Sequence, residues 1–405
     1  EKAAELLNLR QSEIQQLYQE GNLEGALNSA QESVSLAEVA FGSGALKTIS
    51  SMLLQAQIHG ELDQLEEANQ IYQVALETSV AAFGESDATT LSVLDNYGGF
   101  LKSIDPEMSE PVLQEALRLT TEDDPQRAAR LRALGLNLQE LGRIGEAEGM
   151  LSEALKAYKK VLGENSPETL SSMADLAQLY LTQGKLKPAQ ELFETALPLM
   201  LEVMNKTSFL ILASKENLAE IYRQQGKFSL AEKLFLESMQ GAVAEYGEED
   251  SLVIQARSHL AQLYEDTGKL KKALLLHQQV YEVDLALLGE AHPNTAGDLN
   301  NLASVRRRLG DYQKAEKLFR QSLKVMIAAL GEETPQTVSV MNNLALLLEN
   351  QGLYDEAEPL FKKAFAISGK IQGEKHPTSL ALLNNLAFLN ESQGDFMRSE
   401  LNYKK

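Results

Sequence analysis

The chain has 405 residues, of which 58 are acidic and 37 are basic, so its formal charge is −21. This balance excludes the broad basic surface that binds nucleic acid or anionic membranes non-specifically, and it favours neutral or basic proteins or peptides as partners. The chain has no cysteine, which excludes disulfides, thiolate metal sites and cysteine nucleophiles.

Residues 1–95 contain the first signs of a helical repeat. Gly21 precedes Ala26 by five residues, and Ala68 lies 42 residues after Ala26. The segments around them are rich in Leu, Ala, Glu and Gln, which favour helices. We therefore predict N-terminal helix pairs in this region.

Residues 96–127 depart from the 42-residue period. Gly98 and Gly99 follow one another in the preceding helix, and Ser109 stands where the repeat has Ala. No turn glycine occurs at the matching place, and three prolines crowd the stretch: Pro106, Pro111 and Pro125. We predict a degenerate repeat with a possible bend. Two interpretations remain open, a repeat that packs normally and a hinge or notch that docks a partner.

Residues 128–405 form a regular array with a period of 42 residues. An alanine follows a turn glycine by five residues, and the pair recurs in register as Gly142 and Ala147, Gly184 and Ala189, Gly226 and Ala231, Gly268 and Ala273, Gly310 and Ala315, and Gly352 and Ala357. The array reaches Lys405 part-way through a second helix, so we expect a fragment truncated in its last repeat.

Each 42-residue unit predicts two antiparallel helices joined by a glycine turn, because the reversal needs a residue that tolerates positive φ. Small side chains such as Ala303 and Ala345 let the helices approach, and Phe319 and Phe361 are large apolar residues of the second helices. The loops carry a Pro that suits the first turn of the next helix, with a polar capping residue before it. One pair cannot bury its apolar face alone, so the units must stack.

This pattern of helix pairs and glycine turns resembles the tetratricopeptide repeat family, and the 42-residue unit looks like that of the kinesin light chain subgroup. The motifs that carry the resemblance are LNNLA at Leu299–Ala303 and Leu383–Ala387, MNNLA at Met341–Ala345, YDEAEPLFKKA at Tyr354–Ala364 and GEKHPTS at Gly373–Ser379. The resemblance implies an all-α fold, a right-handed superhelical solenoid of antiparallel helix pairs with about 9.5 repeats. It also implies that the first helices line a concave groove.

Asparagines recur at equivalent places on the first helices. Asn is a poor residue for a helix interior, so its recurrence needs a reason. An amide can both donate to and accept from the backbone of an extended peptide, and the resemblance implies this role. The alternative is that these amides bond to neighbouring helices and stabilise stacking, and both roles can hold at once. The predicted peptide-binding amides are Asn217, Asn300, Asn301, Asn342, Asn343, Asn384 and Asn385.

Arg223, Arg307 and Arg308 lie one turn or more further along the same helices and are predicted to pair with acidic side chains of a partner. Acidic residues occupy comparable places in other units, namely Glu265, Asp266, Glu349 and Glu391. The groove is therefore mixed in sign. The five-site basic clamp by which chaperone-binding members of the family hold a terminal carboxylate is not evident.

Two histidines have different predicted roles. His259 falls on the concave face and joins the candidate peptide-binding residues. His277 replaces the core Phe of its unit, and we predict a packed, hydrogen-bonded structural residue. The chain has no His-Glu-x-x-His, no Walker loop and no Gly-x-Ser-x-Gly. We predict no catalytic site, no metal and no cofactor.

The sequence therefore predicts a non-catalytic scaffold or adaptor that binds an extended segment of a partner protein in its concave groove. We expect a soluble intracellular chain that does not insert into membranes, because no apolar run approaches ~18 residues. The alternatives are an assembly factor that holds a folded subunit through its convex face or loops, the regulatory region of a larger enzyme, and a self-assembling structural protein. Neither the compartment nor the oligomeric state follows from the sequence.

Overall fold

The computed structural model describes the backbone of residues 2–403 and the side chains of residues 2–400; Lys404 and Lys405, where the truncation is expected, lie outside this range. The described residues form helices and no strand, so the predicted all-α fold class is confirmed. The chain divides into two compact units, residues 1–205 and residues 206–405. The boundaries expected at residues 95 and 127 stay a prediction.

The first unit holds ten helices that alternate between a first and a second helix of a pair. They are α1 (Lys2–Gln19), α2 (Leu23–Phe41), α3 (Leu46–Glu61), α4 (Leu65–Phe83), α5 (Ala88–Ile104), α6 (Pro106–Leu119), α7 (Arg127–Glu140), α8 (Ile144–Leu162), α9 (Pro167–Thr182) and α10 (Leu186–Val203).

The second unit repeats the pattern with α11 (Phe209–Gln224), α12 (Phe228–Tyr246), α13 (Ser251–Asp266), α14 (Leu270–Leu288), α15 (Pro293–Arg308), α16 (Tyr312–Leu330), α17 (Pro335–Asn350), α18 (Tyr354–Gln372), α19 (Pro377–Ser392) and α20 (Phe396–Tyr403). Its first helices each span 16 residues, and the second helices α12, α14, α16 and α18 each span 19. This regularity is what a fixed 42-residue period requires.

The helix boundaries are set by local chemistry. Gly310, between α15 and α16, has φ of 82°, and Gly331, after α16, has φ of 85°. Residues with a Cβ rarely adopt these angles, so glycine is needed at both turns. The next helix begins with Pro at its first turn, and the Thr334 hydroxyl oxygen accepts from the Thr337 backbone N–H at 3.3 Å. The predicted Pro starts and polar caps are confirmed.

The core lies between the two helices of each pair and between neighbouring pairs. Ala303, Ala345, Phe319 and Phe361 are fully buried and belong to one cluster of α15–α19. Small residues allow close approach of the backbones, and each buried Phe contributes about 1.5–3 kcal/mol through the hydrophobic effect. Both the small residues predicted to let the helices approach and the large residues predicted to fill the core are thus buried as expected.

The irregular stretch is accommodated by a shorter second helix. α6 spans 14 residues, and only Asp105 separates it from α5, so this turn has no glycine. The Asp105 carboxylate caps α6 by accepting from the Glu107 backbone N–H at 2.9 Å. Ser109 is fully buried in the place of the repeat's Ala, and its hydroxyl donates to the Gly98 carbonyl oxygen at 2.8 Å. The repeat packs through this stretch, and a functional bend there stays a prediction.

Within each unit the first helices lie closer to one another than the second helices do. In the second unit α11 contacts α13, α15 contacts α17, and α17 contacts α19, while the second helices of the described residues make no comparable contacts with one another. The layer of first helices therefore forms the concave side of the unit. We call this side of residues 206–405, formed by α11, α13, α15, α17 and α19, the inner face.

Candidate functional site

The paired asparagines of the inner face form hydrogen bonds between successive first helices. The Asn343 side-chain N–H on α17 donates to the Asn300 side-chain oxygen on α15 at 3.0 Å. The Asn385 side-chain N–H on α19 donates to the Asn342 oxygen on α17 at 2.8 Å. The first Asn of one pair therefore accepts from the second Asn of the next, at an offset of 43 residues. The stacking role considered for these residues is present in the structure.

The same two positions carry an acid and an imidazole in earlier pairs. In α11 the first position holds Glu216, and in α13 the second position holds His259, whose Nδ1 lies 2.8 Å from a Glu216 carboxylate oxygen. The other Glu216 oxygen accepts from the Ser238 hydroxyl at 3.0 Å. The register of the contact is again 43 residues. One geometric position is thus filled by an amide pair in one place and by an acid and an imidazole in another.

A second row of contacts lies about two turns further along the same helices. Arg223 on α11 forms an ion pair with Asp266 on α13 and another with Glu220 on its own helix. Arg308 on α15 pairs with Glu265 on α13 at 3.1 Å and donates to the Glu265 carbonyl oxygen at 2.8 Å. Both arginines therefore already have anionic partners within the unit. Their predicted pairing with a partner protein stays a prediction.

His277 completes the group around Glu265. It is 4% exposed, and its Nε2 lies 2.9 Å from the Glu265 carboxylate oxygen that Arg308 does not contact. The prediction of a packed, hydrogen-bonded core residue is confirmed. A buried carboxylate is stable when its oxygens are paired in this way.

These contacts divide the inner face into two parts. We call α11 and α13, with the contacts of Glu216, Arg223, His259 and Glu265, the charged half. We call α15, α17 and α19, with the asparagine pairs, the amide half. In the charged half ionic side chains join successive first helices, whereas in the amide half neutral hydrogen bonds join them.

Two asparagine side chains of the amide half are exposed and have no hydrogen-bond partner within the described part of the chain. Asn301 and Asn384 are exposed and make no hydrogen bond with any described residue. Asn301 lacks a partner because the residue 43 positions earlier is Ser258, whose hydroxyl donates to the Ile254 carbonyl oxygen of its own helix. Asn217 differs, since it is half-buried and engaged in contacts. The predicted amides thus fall into fixed and free members.

Two buried charged side chains lie among these contacts. The Nε of Arg307 is buried without a hydrogen-bond partner, and burial lowers the pKa of its guanidinium below the usual value. Glu349 on α17 has a buried Oε1 without a partner, and burial raises the pKa of its carboxyl. The sequence placed Glu349 on this face but gave no sign that it lacks a counter-ion.

A pocket lies on the first-helix side of the first unit, at the start of the irregular stretch for which a docking notch is one of the two interpretations. It occupies about 500 Å³ between α3 and α5, and Gly60 and Gly99 lie in its wall. A Cβ at Gly99 would meet no atom within 4 Å, so this glycine leaves open space. Phe100 and Tyr72 line the pocket with their rings 5.0 Å apart. The two adjacent glycines, Gly98 and Gly99, were the available signal in the sequence.

The described residues contain no group of three or more His, Asp or Glu side chains placed to hold a metal ion. Among the helices of the same residues, none combines the length and apolarity needed to cross a membrane.

The helix pairs match the family model of the tetratricopeptide repeat at residues 127–202, 210–286, 278–328, 294–367 and 336–405. These matches cover more than half of the chain. The protein belongs to the tetratricopeptide repeat family. The predicted family membership is confirmed, and the inner face is the concave side of a tetratricopeptide array. A search of curated proteins found no match.

Solved structures similar to this tetratricopeptide protein include nearly identical TPR-like repeats of a kinesin light chain from Podosopora anserina, with 25% identity over 51% of this chain and 98% of that one, and a TM-score of 0.45. The apo form of the quorum sensor NprR from B. thuringiensis is 16% identical, covers 88% of this chain and 97% of its own, and has a TM-score of 0.64. The apo form of RapI is also 16% identical, covers 88% of this chain and 95% of its own, and has a TM-score of 0.64. The likeness to NprR and RapI shows the fold.

Proposed function

We propose that the protein is a non-catalytic interaction scaffold and that the amide half of its inner face binds an extended segment of a partner protein. The observation that carries this proposal is the exposed, unpaired amide of Asn301, next to a row of asparagines already fixed by hydrogen bonds, with Asn384 as a second exposed amide on α19. Membership of a repeat family whose units leave a concave surface supports it.

The fixed and free amides play different parts in this proposal. The bonds from Asn343 to Asn300 and from Asn385 to Asn342 hold neighbouring first helices in register. This order lowers the entropy cost of binding, because the polar groups are placed before the segment arrives. Asn301 and Asn384 then donate to and accept from the backbone of the segment, replacing water.

The size of the amide half sets the length of the segment. Successive helices pack roughly 10 Å apart, so its three first helices span roughly 20 Å. An extended chain advances about 3.3 Å per residue, so about six residues cover the amide half and a dodecamer leaves about three residues on either side. A library of random dodecamers displayed on phage is therefore a suitable probe.

The test compares two double variants against a dodecamer selected on the wild-type protein. Asn301→Ala with Asn384→Ala should weaken its affinity about tenfold, because two neutral hydrogen bonds contribute about 0.5–1.5 kcal/mol each. The melting temperature should hold or rise, since Ala favours helix over Asn. Calorimetry and thermal unfolding measure the two quantities.

Asn343→Ala with Asn385→Ala is the matched control, because it makes the same chemical change at the fixed amides. It should lower the melting temperature by removing two bonds between helices. The proposal fails if the wild-type protein selects no dodecamer, or if the loss of both free amides leaves affinity unchanged.

A further inference from the structure

Glu349 occupies a position of the inner face that Glu265 occupies two repeats earlier, 84 residues before it in the sequence. At Glu265 both carboxylate oxygens are used. His277, on the second helix of the same pair, lies 2.9 Å from one oxygen, and Arg308, on the next first helix, lies 3.1 Å from the other. Two positively charged or proton-donating groups therefore make burial of this carboxylate favourable.

Both of these partners are replaced around Glu349. The repeat places Phe361 where His277 stands, and it places Ser392 where Arg308 stands. Phe361 is fully buried and has no polar atom, and the Ser392 hydroxyl donates to the Phe388 carbonyl oxygen of its own helix at 3.0 Å. Glu265 therefore has hydrogen-bonding partners on α14 and α15, whereas the residues at the matching positions around Glu349 donate nothing to its carboxylate.

Glu349 is nevertheless buried. It is 8% exposed, its Oε1 is inaccessible and unpartnered, and no side chain among the described residues forms a hydrogen bond or ion pair with it. Arg307, the basic residue at the same position of the preceding first helix, does not form an ion pair with it. An ionised carboxylate held this way is unfavourable unless a cation approaches it.

The surface of α19 one to two turns before Ser392 suits the side chain of a basic residue. Phe388 lies one turn before Ser392 on α19 and is 57% exposed. Asn384, one of the free amides, lies one turn before Phe388. The stem of a Lys or Arg can pack along an aromatic ring while its charged end reaches an acid, and an aromatic face itself attracts a cation.

We propose that the inner face between α17 and α19 receives a Lys or Arg side chain of the bound segment, with Glu349 as its counter-ion and Phe388 as the ring beside its stem. The inference rests on the proposed function, since it names the chemistry of the segment that this face binds. Glu349 is then the residue that sets specificity, while the free amides bind backbone of any sequence. The charge of −21 on the chain also favours basic segments, because it attracts them electrostatically.

The experiment is selection of random phage-displayed dodecamers on four proteins: the wild type, Glu349→Gln, Ser392→Arg and Glu391→Gln. Wild-type selection should enrich Lys or Arg at one position of the aligned peptides. Glu349→Gln should abolish that enrichment, because it removes the charge while keeping the shape. Ser392→Arg should also abolish it, because it restores on α19 the internal cation that Arg308 supplies to Glu265.

Glu391→Gln is the matched control, since it removes an exposed acid at the equivalent position of the next first helix. It should leave the enrichment intact. Thermal unfolding of the same proteins shows whether each is folded. Ser392→Arg should raise the melting temperature, and Glu349→Gln should hold or raise it.

A quantitative arm uses one selected peptide and its Lys→Met or Arg→Met version. On the wild type the change should weaken affinity at least tenfold, and on Glu349→Gln it should have little effect. Equal losses on both proteins would overturn the inference, as would wild-type peptides without basic enrichment. In either case selected peptides still bind, so the proposed function stands. If the wild type selects no peptide, the proposed function and this inference fail together.

Discussion

The charged half and the amide half of the inner face carry different side chains at equivalent positions of the repeat, and these side chains make different contacts. From α11 to α15 the first helices are joined by the ion pairs of Arg223 with Asp266 and of Glu265 with Arg308, and by the contact of the Glu216 carboxylate with the His259 imidazole. From α15 to α19 they are joined by two amide hydrogen bonds. In the charged half the contacts named above pair the charged side chains with one another, whereas in the amide half the Asn301 amide, the Glu349 Oε1 and the Arg307 Nε have no hydrogen-bond partner among the described residues.

The difference shows which part of a periodic array has side chains available to bind a partner. A partner that binds the charged half competes with internal contacts for the side chains of Glu216, Arg223 and Glu265. A partner that binds the amide half displaces water from Asn301 and Asn384 and supplies the charge that Glu349 lacks. The repeat thus gives every helix pair the same backbone geometry, and the residue at each position decides whether that part of the inner face can bind a partner.

The largest contrast between the halves should come from one chemical change made in each. Glu265→Gln leaves His277 and Arg308 without their anion, and we expect a loss of about 3 kcal/mol in the free energy of unfolding. Glu349→Gln removes a charge that has no partner, so stability should hold or rise. Urea unfolding followed by circular dichroism measures both. Equal losses would remove the distinction between the halves.

A pH series should reveal a second buried acid at the junction of α14 and α15. Burial and the neighbouring Asp284 raise the pKa of Asp298 to about 8. The folded state therefore keeps a proton that the unfolded state gives up. The stability contributed by this proton is fully present at low pH and is lost as pH rises through about 8.

Between pH 6 and pH 9 this loss should reach about 2.7 kcal/mol, since stability falls by about 1.4 kcal/mol for each pH unit below the folded-state pKa of about 8. Asp298→Asn should flatten the decline, because an amide needs no proton to stay neutral. Thermal unfolding across this range tests it. A variant that declines as steeply as the wild type would place the cause elsewhere.

His277→Phe should have a smaller effect. Sister repeats carry Phe235, Phe319 and Phe361 at this place, so the ring fits the core. The change also removes one hydrogen bond to Glu265, and we expect a net loss of about 1 kcal/mol or less. Thermal unfolding measures it. A loss above about 3 kcal/mol would show that His277, not Arg308, is the main partner of Glu265.

The helices and their order could be predicted from the sequence because local signals determine them. Glycines such as Gly310 mark the turns through their positive φ, prolines such as Pro335 start the helices, and Ala and Phe mark the core at fixed spacing. The start of the short helix α6 could not be predicted as clearly from the sequence. There Asp105 makes the turn and caps the next helix, and the signal of a turn glycine is missing.

The candidate site could be predicted only in part. The period of 42 residues placed Asn301, Asn343 and Asn385 in one row, but it could not separate fixed from free amides. That distinction depends on contacts at an offset of 43 residues, which arise from the packing of one first helix on the next. The missing partner of Glu349 depends on Ser392 in the same way.

The proposed binding of a partner segment to the amide half of the inner face can be observed directly. The most direct measurement is photo-cross-linking of a selected dodecamer that carries a benzophenone residue at its centre, with mass spectrometry to identify the attached residues. We predict cross-links to the exposed faces of α15, α17 and α19, near Asn301, Asn384 and Phe388. Cross-links confined to the second helices, to the inter-repeat loops or to α11 and α13 would show that the segment does not bind the amide half.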